Sequence, residues 1–273
     1  MPENVKMNKI GFIGAGTMAS AIIFGLINSG KINLGNVTAS EISEERARKV
    51  SKEIGINVIK DNQELVKNSD IIVLSMKPYN LEPVLYEVKD FITPDKLIVS
   101  IAAGVSTDFI EDILGHKSHV IRVMPNTPVI LNEGMSAVCK GRNVSEENLK
   151  LVTDLFKSVG RCIEVPEKLF DSVTAISGSG PAFIYLIIEA IADGGVKLGL
   201  TKQAALQLAA QTCLGAAKMV LETGKHPAVL KDEVSTPGGC TIAGLMVMEE
   251  QGVRSALSKT VIETAYTAIG LGK

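Results

Sequence analysis

The sequence predicts an α/β protein, with a doubly wound parallel sheet in its first part and an all-helical domain in its second. Three observations predict it. Short β-branched runs alternate with helical periodicity up to residue 165, long helical stretches with hardly any strand signal follow from Glu167, and a glycine-rich turn joins the first strand to the first helix. The boundary is therefore placed between residues 165 and 166, giving domains 1–165 and 166–273.

In order, strands are expected at Ile10–Ile13, Val37–Ala39, Ile71–Leu74, Leu97–Ile101, Val120–Val123 and Ala137–Cys139, each a short β-branched or apolar run. Helices are expected near 17–29, 43–54, 62–68, 81–90, 106–114 and 145–158, and then near 168–176, 180–198, 202–223, 227–232, 241–251 and 253–269. The late helices are rich in small residues, as in Ala204-Ala205, Ala209-Ala210 and Gly215-Ala216-Ala217, which allow close helix contacts. With aromatics at 4% and no Trp, this half cannot easily enclose itself, so helices of a second copy are expected to complete its packing.

Composition narrows the function. A chain of 273 residues, 46% hydrophobic and with a formal charge of −2, has ample core and no dense Lys/Arg stripe, so nucleic acid is not expected as a partner. The longest apolar stretch, Ala182 to Ala192, contains Glu189 and is shorter than the roughly 20 residues of a membrane span, and the N-terminus does not read as a signal peptide. A cytoplasmic, soluble enzyme is expected. Cys139, Cys162, Cys213 and Cys240 are far apart, which predicts neither a zinc site nor a disulfide framework, and no metal is expected. Buried reduced thiols are the default, although Cys240 falls in a glycine-rich loop.

Two turns carry the chemistry. In Gly11-Phe12-Ile13-Gly14-Ala15-Gly16-Thr17-Met18-Ala19 a strand enters glycines and then a helix, the context that makes G-x-G-x-x-A a dinucleotide fingerprint of a Rossmann-like sheet. Gly14 permits the sharp turn, Gly16 lets the backbone approach a pyrophosphate, and Ala19 allows close helix–strand packing. The second turn, Thr236-Pro237-Gly238-Gly239-Cys240-Thr241, precedes an apolar helical run, so the orphan N–H groups of a helix start can hold a small carboxylate there without an arginine. The plainer alternative is a glycine turn with Thr241 as the helix cap.

Ligands of an open parallel sheet sit beyond the carboxyl ends of its strands. The residues just past them are Ser40 and Glu41, Ser75-Met76-Lys77-Pro78, Ala102-Ala103-Gly104, and Met124-Pro125-Asn126-Thr127-Pro128. Lys77 would serve a ribose or phosphate as a point charge or remain simply solvated. Asn62 would face the adenine side or cap its helix. Glu41 stands where an acid accepts from the ribose 2′-OH of NAD, whereas Ser40 with Arg46 or Arg48 would suit the 2′-phosphate of NADP.

These segments, together with Ser177-Gly178-Ser179-Gly180-Pro181-Ala182 and the run Leu230 to Glu249, occur in the order and spacing of the pyrroline-5-carboxylate reductases, and the chain resembles that family over nearly its whole length. The most specific part is Leu230-Lys231-Asp232-Glu233-Val234-Ser235-Thr236-Pro237-Gly238-Gly239-Cys240-Thr241-Ile242-Ala243-Gly244-Leu245. The resemblance implies reduction of the cyclic imine 1-pyrroline-5-carboxylate to L-proline by NADPH, with NADH as the alternative donor, at the last step of proline biosynthesis. It implies homodimers with interlocked helical domains, and rings of dimers up to a decamer. Site residues follow: Gly11, Ile13, Gly14, Ala15, Gly16, Thr17, Met18, Ser40, Asn62, Ser75, Met76, Lys77, Pro78, Ala102, Ala103, Gly104 and Asn126 for the cofactor; Ser179, Thr236, Gly238, Gly239, Cys240 and Thr241 for the substrate. Thr241 is the catalytic candidate. Phe183 stands where many members of the family carry tyrosine, so it is given no catalytic part.

A cyclic imine is basic enough to arrive partly protonated, so the site needs no strong acid. Accordingly His116, His119 and His226 all lie outside the glycine turns and are read as surface or capping residues. Two other readings compete. A hydroxyacid dehydrogenase of the same two-domain build would place a lysine a few residues after the Gly-Ser-Gly turn, where this chain has Ala182, Phe183, Ile184 and Tyr185. A dinucleotide sensor without turnover would need no second anion turn.

Overall fold

In the computed structural model, which describes residues 8–115 and 117–269, the β-branched runs become strands of one eight-stranded sheet. They are β1 (Ile10–Ile13), β2 (Val37–Ser40), β3 (Asn57–Ile59), β4 (Ile71–Leu74), β5 (Leu97–Ser100), β6 (His119–Met124), β7 (Gly134–Lys140) and β8 (Gly160–Glu164). Between them lie α1 (Thr17–Asn28), α2 (Glu44–Ile54), α3 (Asn62–Lys67), α4 (Leu81–Val88), α5 (Thr107–Leu114) and α6 (Glu146–Lys157). The strand order is β3-β2-β1-β4-β5-β6-β7-β8, so the chain changes direction of travel across the sheet between β1 and β4, the point at which open α/β sheets bind their ligands.

Alternation along each strand assigns its two faces. Ile10, Phe12, Val37, Ala39, Val73, Val99 and Ile121 pack with Ile22, Ile23 and Leu26 of α1 and with Val152 and Phe156 of α6. Ile13, Ile72, Leu74, Ile98 and Val120 meet Leu65, Leu81, Leu85 and Ile110 of α3, α4 and α5 on the other face. Burying each large side chain of these layers contributes about 1.5–3 kcal/mol.

Two differences from the sequence reading appear. The sheet is not parallel throughout: β6 and β7 pair antiparallel, with Val123 opposite Val138, and β8 then pairs parallel with β7. A parallel neighbour needs a crossover of a dozen or more residues, and the connection after β6 holds only a 3-10 turn, Thr127–Leu131, closed by Asn132 at φ +58°. In addition, β3 and β8 were not anticipated. Both are edge strands with little apolar signal, β3 exposed or half-buried throughout and β8 burying only Cys162.

The second half is helical: α7 (Phe170–Val173), a π-helical turn over Thr174–Gly178, α8 (Gly180–Lys197), α9 (Lys202–Thr223), α10 (Pro227–Glu233), α11 (Cys240–Glu250) and α12 (Val253–Ile269). Two compact units result, the sheet with its helices through Ser179, to which the end of the last helix from Thr264 also belongs, and Gly180–Glu263. In the second unit α8 and α9 pack through Ala192, Ala205 and Ala209, with Ile188 beside them. A core of three alanines leaves Leu186, Leu208, Leu221, Met246 and Val247 exposed, far more apolar surface than an isolated soluble unit carries. The stretches Glu167–Lys197 and Lys202–Thr223 are also long and apolar enough to cross a membrane by length and composition, which the run Ala182 to Ala192 had not suggested.

Candidate functional site

The turn between β1 and α1 is fixed from three sides. Gly14 has φ +94°, and a Cβ there would stand 3.2 Å from the Ser75 carbonyl oxygen, so glycine is required twice over. Its N–H donates to the Ser40 carbonyl at 3.0 Å. Ser75 clamps the same turn, its N–H donating to Ile13 and its Oγ lying 2.9 Å and 2.8 Å from the carbonyl oxygens of Ile13 and Gly14. Gly16 is different: it is the N-cap of α1, no side chain caps that helix, and a Cβ at Gly16 would meet nothing within 4 Å. That open approach beside orphan N–H groups fits a pyrophosphate. Gly14→Ala is therefore expected to lower stability and cofactor affinity together, whereas Gly16→Val costs only about 1 kcal/mol at the helix start and abolishes NADPH binding. Thermal melts and NADPH titrations of the two variants check this contrast.

Gly11 has a packing task. It lies inside β1, and a Cβ there would come within 2.4 Å of both Leu65 Cδ2 and Ser69 Oγ. Ile13 is buried in the core, Ala15 is buried in the turn, and Thr17 and Met18 begin α1, exposed and half-buried. Beyond the other strands, Met76 is half-buried against the core, Lys77 is exposed, and Pro78 begins a 3-10 turn. Ala102 is buried with its N–H on Ser100 Oγ at 3.3 Å, Ala103 is half-buried, and Gly104 turns the chain at φ +77°.

Past β2 the structure distinguishes the charged residues. Glu41, 8% exposed, accepts from the N–H of Ala15 at 3.2 Å and of Ser43 at 3.0 Å, and pairs with Arg46 Nη1 at 3.3 Å. Arg48 pairs instead with exposed Glu44. Ser40 Oγ donates to Asn62 Oδ1 at 2.6 Å, and Asn62 Nδ2 donates to Glu87 at 3.0 Å. Asn62 is not the cap of α3; Asp61 is, accepting from the N–H groups of Gln63 and Glu64.

Asn126, beyond β6, has both ends of its carboxamide engaged: Oδ1 accepts from Met135 N–H at 2.8 Å and Nδ2 donates to the Ser177 carbonyl at 3.0 Å. Ser177 belongs to the π-helical turn, which closes when Ser179 N–H donates to Thr174 at 2.8 Å.

In the second unit, Gly238 turns at φ +69°, and Gly239 N–H donates to the Thr236 carbonyl at 3.0 Å. Gly239 is the N-cap of α11, without any side-chain cap. Thr241 is thus the second residue of the helix and not its cap. By contrast α2, α5, α6 and α9 are capped by Ser43, Ser106, Ser145 and Thr201, α3 by Asp61, and α10 by His226, whose Nδ1 accepts from Ala228. His119 starts β6, and His116 lies outside the described residues.

The thiols differ. Cys139 and Cys162 are buried, and burial pushes their pKa up to about 12 and about 11, which makes them inert. Cys213 is half-buried and Cys240, first in α11, is exposed, so burial is not general. Among the described residues no group of three or more His, Cys, Asp or Glu could hold a metal ion. One network escaped the sequence reading altogether. Glu167 accepts from Thr107 N–H and Thr107 Oγ1, each at 2.8 Å, and pairs with Arg122 Nη1 at 3.2 Å, while the Arg122 guanidinium lies 4.7 Å from the Phe170 ring centroid.

Comparison with known proteins agrees with both halves. Residues 9–104 match the family described as NADP oxidoreductase coenzyme F420-dependent, and residues 167–271 match pyrroline-5-carboxylate reductase dimerisation. A pyrroline-5-carboxylate reductase of Methanosarcina acetivorans is 47% identical over 97% of this chain and 98% of its own, and one of Arabidopsis thaliana is 43% identical over 97% and 96%. The crystal structure of Plasmodium falciparum pyrroline carboxylate reductase with NADP bound superposes with a TM-score of 0.89 at 34% identity, covering 97% of this chain and 98% of that one. The fingerprint turn, the uncapped late helix and a likeness that runs from end to end lead to one assignment: this chain belongs to the pyrroline-5-carboxylate reductase family.

Proposed function

We propose that this chain reduces the cyclic imine 1-pyrroline-5-carboxylate to L-proline with NADPH, NADH being the alternative donor, at the last step of proline biosynthesis. Residues 1–165 seat the dinucleotide, and residues 166–273 seat the imine carboxylate and form a homodimer. The observation that carries the reading is a matched pair of helices, α1 and α11, each entered through a glycine N-cap with no side chain on its orphan N–H groups. An oxidoreductase acting on a small acid needs two such anion seats, one for a pyrophosphate and one for a carboxylate.

When bound, the dinucleotide supplies hydride to the C=N bond. The chain supplies position. The start of α1 holds the pyrophosphate, and Ser40, Asn62, Ser75 to Pro78 and Ala102 to Gly104 form the wall of the crevice. The N–H groups of Gly239, Cys240 and Thr241 hold the carboxylate, with Thr236 and Gly238 shaping the turn and Ser179 bordering the ring. Thr241 Oγ1 hydrogen-bonds the ring nitrogen and relays its proton. Orientation of this kind is worth about 7–11 kcal/mol in favourable cases, enough to dispense with a dedicated strong acid.

Exposed apolar side chains on α8, α9 and α11 support dimerisation through interlocked helices, and we infer a decamer built of dimers as the larger assembly. Four free cysteines support a reducing, cytoplasmic setting. Light scattering tests the assembly. Purified protein mixed with NADPH and the imine tests the activity: consumption of NADPH with formation of proline supports it, and tight NADPH binding without turnover favours a sensor.

Glu41 bears on the choice of cofactor. Its buried charge disfavours a 2′-phosphate and Arg46 favours one, so Glu41→Gln is expected to improve NADPH affinity relative to NADH by about tenfold. Titration of both reduced cofactors checks it, and an unchanged ratio removes Glu41 from discrimination.

A further inference from the structure

A carboxamide used at both ends is an alignment device, because its oxygen can only accept and its nitrogen can only donate. At Asn126 this polarity is settled: the Met135 N–H identifies the accepting atom as Oδ1, which leaves Nδ2 on the Ser177 carbonyl. The residue is 7% exposed, so neither partner is replaceable by bulk water. It thereby joins the end of β6, the start of β7 and the π-helical turn Thr174–Gly178.

A π-helical turn carries one residue more than an α-helical turn and relaxes unless something holds it. Here Ser179 N–H reaches back to Thr174, and Asn126 supplies a donor to Ser177 within that loop of backbone. From the other side, a Cβ at Gly178 would come within 2.7 Å of Met124 Cε, so the turn rests against the last residue of β6. Ser179, the first residue past the turn, takes its place from this arrangement.

We propose that Asn126 is a positioning residue, whose carboxamide locks the π-helical turn onto the end of the sheet and so sets where Ser179 stands. The proposal rests on the reading above that Ser179 borders the substrate. It assigns Asn126 an indirect part, in place of direct contact with the cofactor.

Asn126→Asp is the sharpest test, since the side chain keeps its shape and its bond from Met135 while a second acceptor replaces the donor facing Ser177. Because a misplacement of the order of 1 Å can cost 100-fold, kcat is expected to fall by about 10- to 100-fold. The NADPH dissociation constant, read from the fluorescence of the bound nicotinamide, is expected to stay at the wild-type value. Should Asn126→Asp not fold, Asn126→Ser empties the bridge without reversing it and is read the same way. Wild-type kcat in the folded variant overturns the proposal, as does a loss of NADPH affinity that matches the loss of turnover, which would make Asn126 a cofactor ligand. Ser179→Ala separates the two readings. If it lowers kcat while the Asn126 variants do not, the lock is wrong and the place of Ser179 stands; if it is silent while they lower kcat, the lock stands and another group of the turn meets the substrate.

Discussion

Thr241→Ala is expected to lower kcat about 100-fold, the lower end of what a positioned proton-transfer group contributes, while NADPH affinity stays unchanged. The expectation follows from where the hydroxyl sits. With Gly239 as N-cap, Thr241 is one residue inside α11 and is not used to close the helix, so its removal does not unravel the turn. Its N–H group survives the substitution, and with it most of the proposed carboxylate seat, so KM for the imine is expected to change less than kcat. Thr241→Ser restores a hydroxyl at the same place and is expected to recover most of the rate, whereas Thr241→Val, equal in shape, is not. Steady-state kinetics in the imine with a parallel NADPH titration make the measurement. Equal kcat for the alanine and wild-type proteins would remove Thr241 from proton transfer.

The second large effect is on stability. Arg122 is 6% exposed and its charge is met by Glu167, whose two oxygens also hold the N–H and hydroxyl of Thr107 at the start of α5. Removing one member of a fully buried pair strands the other at about 3–5 kcal/mol, and here, with the Glu167 side chain 28% exposed, the cost is smaller, about 2–3 kcal/mol. Glu167→Ala is therefore expected to destabilise the chain by about that amount, and Arg122→Leu by somewhat less because Glu167 keeps Thr107. Chemical denaturation of both single variants and the double variant closes a cycle, in which the double variant should be much less costly than the sum of the two. Additive losses would mean that the pair does not act as one unit.

What could be read from residues alone was local. The strands at Ile10–Ile13 and Ile71–Leu74 announce themselves by short apolar runs rich in isoleucine and valine, and the observed bounds coincide. Helix starts at Ser43, Ser106, Ser145 and Thr201 carry their caps in the sequence. The same holds for the glycine turn before α1, because φ +94° at Gly14 is a backbone need that only glycine meets easily. The edge strands β3 and β8 were silent, since an edge buries one residue or none and leaves no periodic apolar signal.

Partners distant in sequence were not legible. Asn126 looked like a crevice residue because it follows a strand, and only folding brought Ser177, 51 residues away, to its amide. Glu41 looked like a free ribose acceptor until the turn at Ala15 was seen to donate to it.

By itself, then, the order of residues determined most of the elements, both glycine turns and the family, because each is written in short-range spacing and in backbone demands met by single residue types. The tertiary structure decided the reversal at β7, the ion pair of Arg122 with Glu167, and which helices begin without a cap. Those depend on which distant groups compete for the same hydrogen-bonding atoms, and no local pattern records the outcome of that competition.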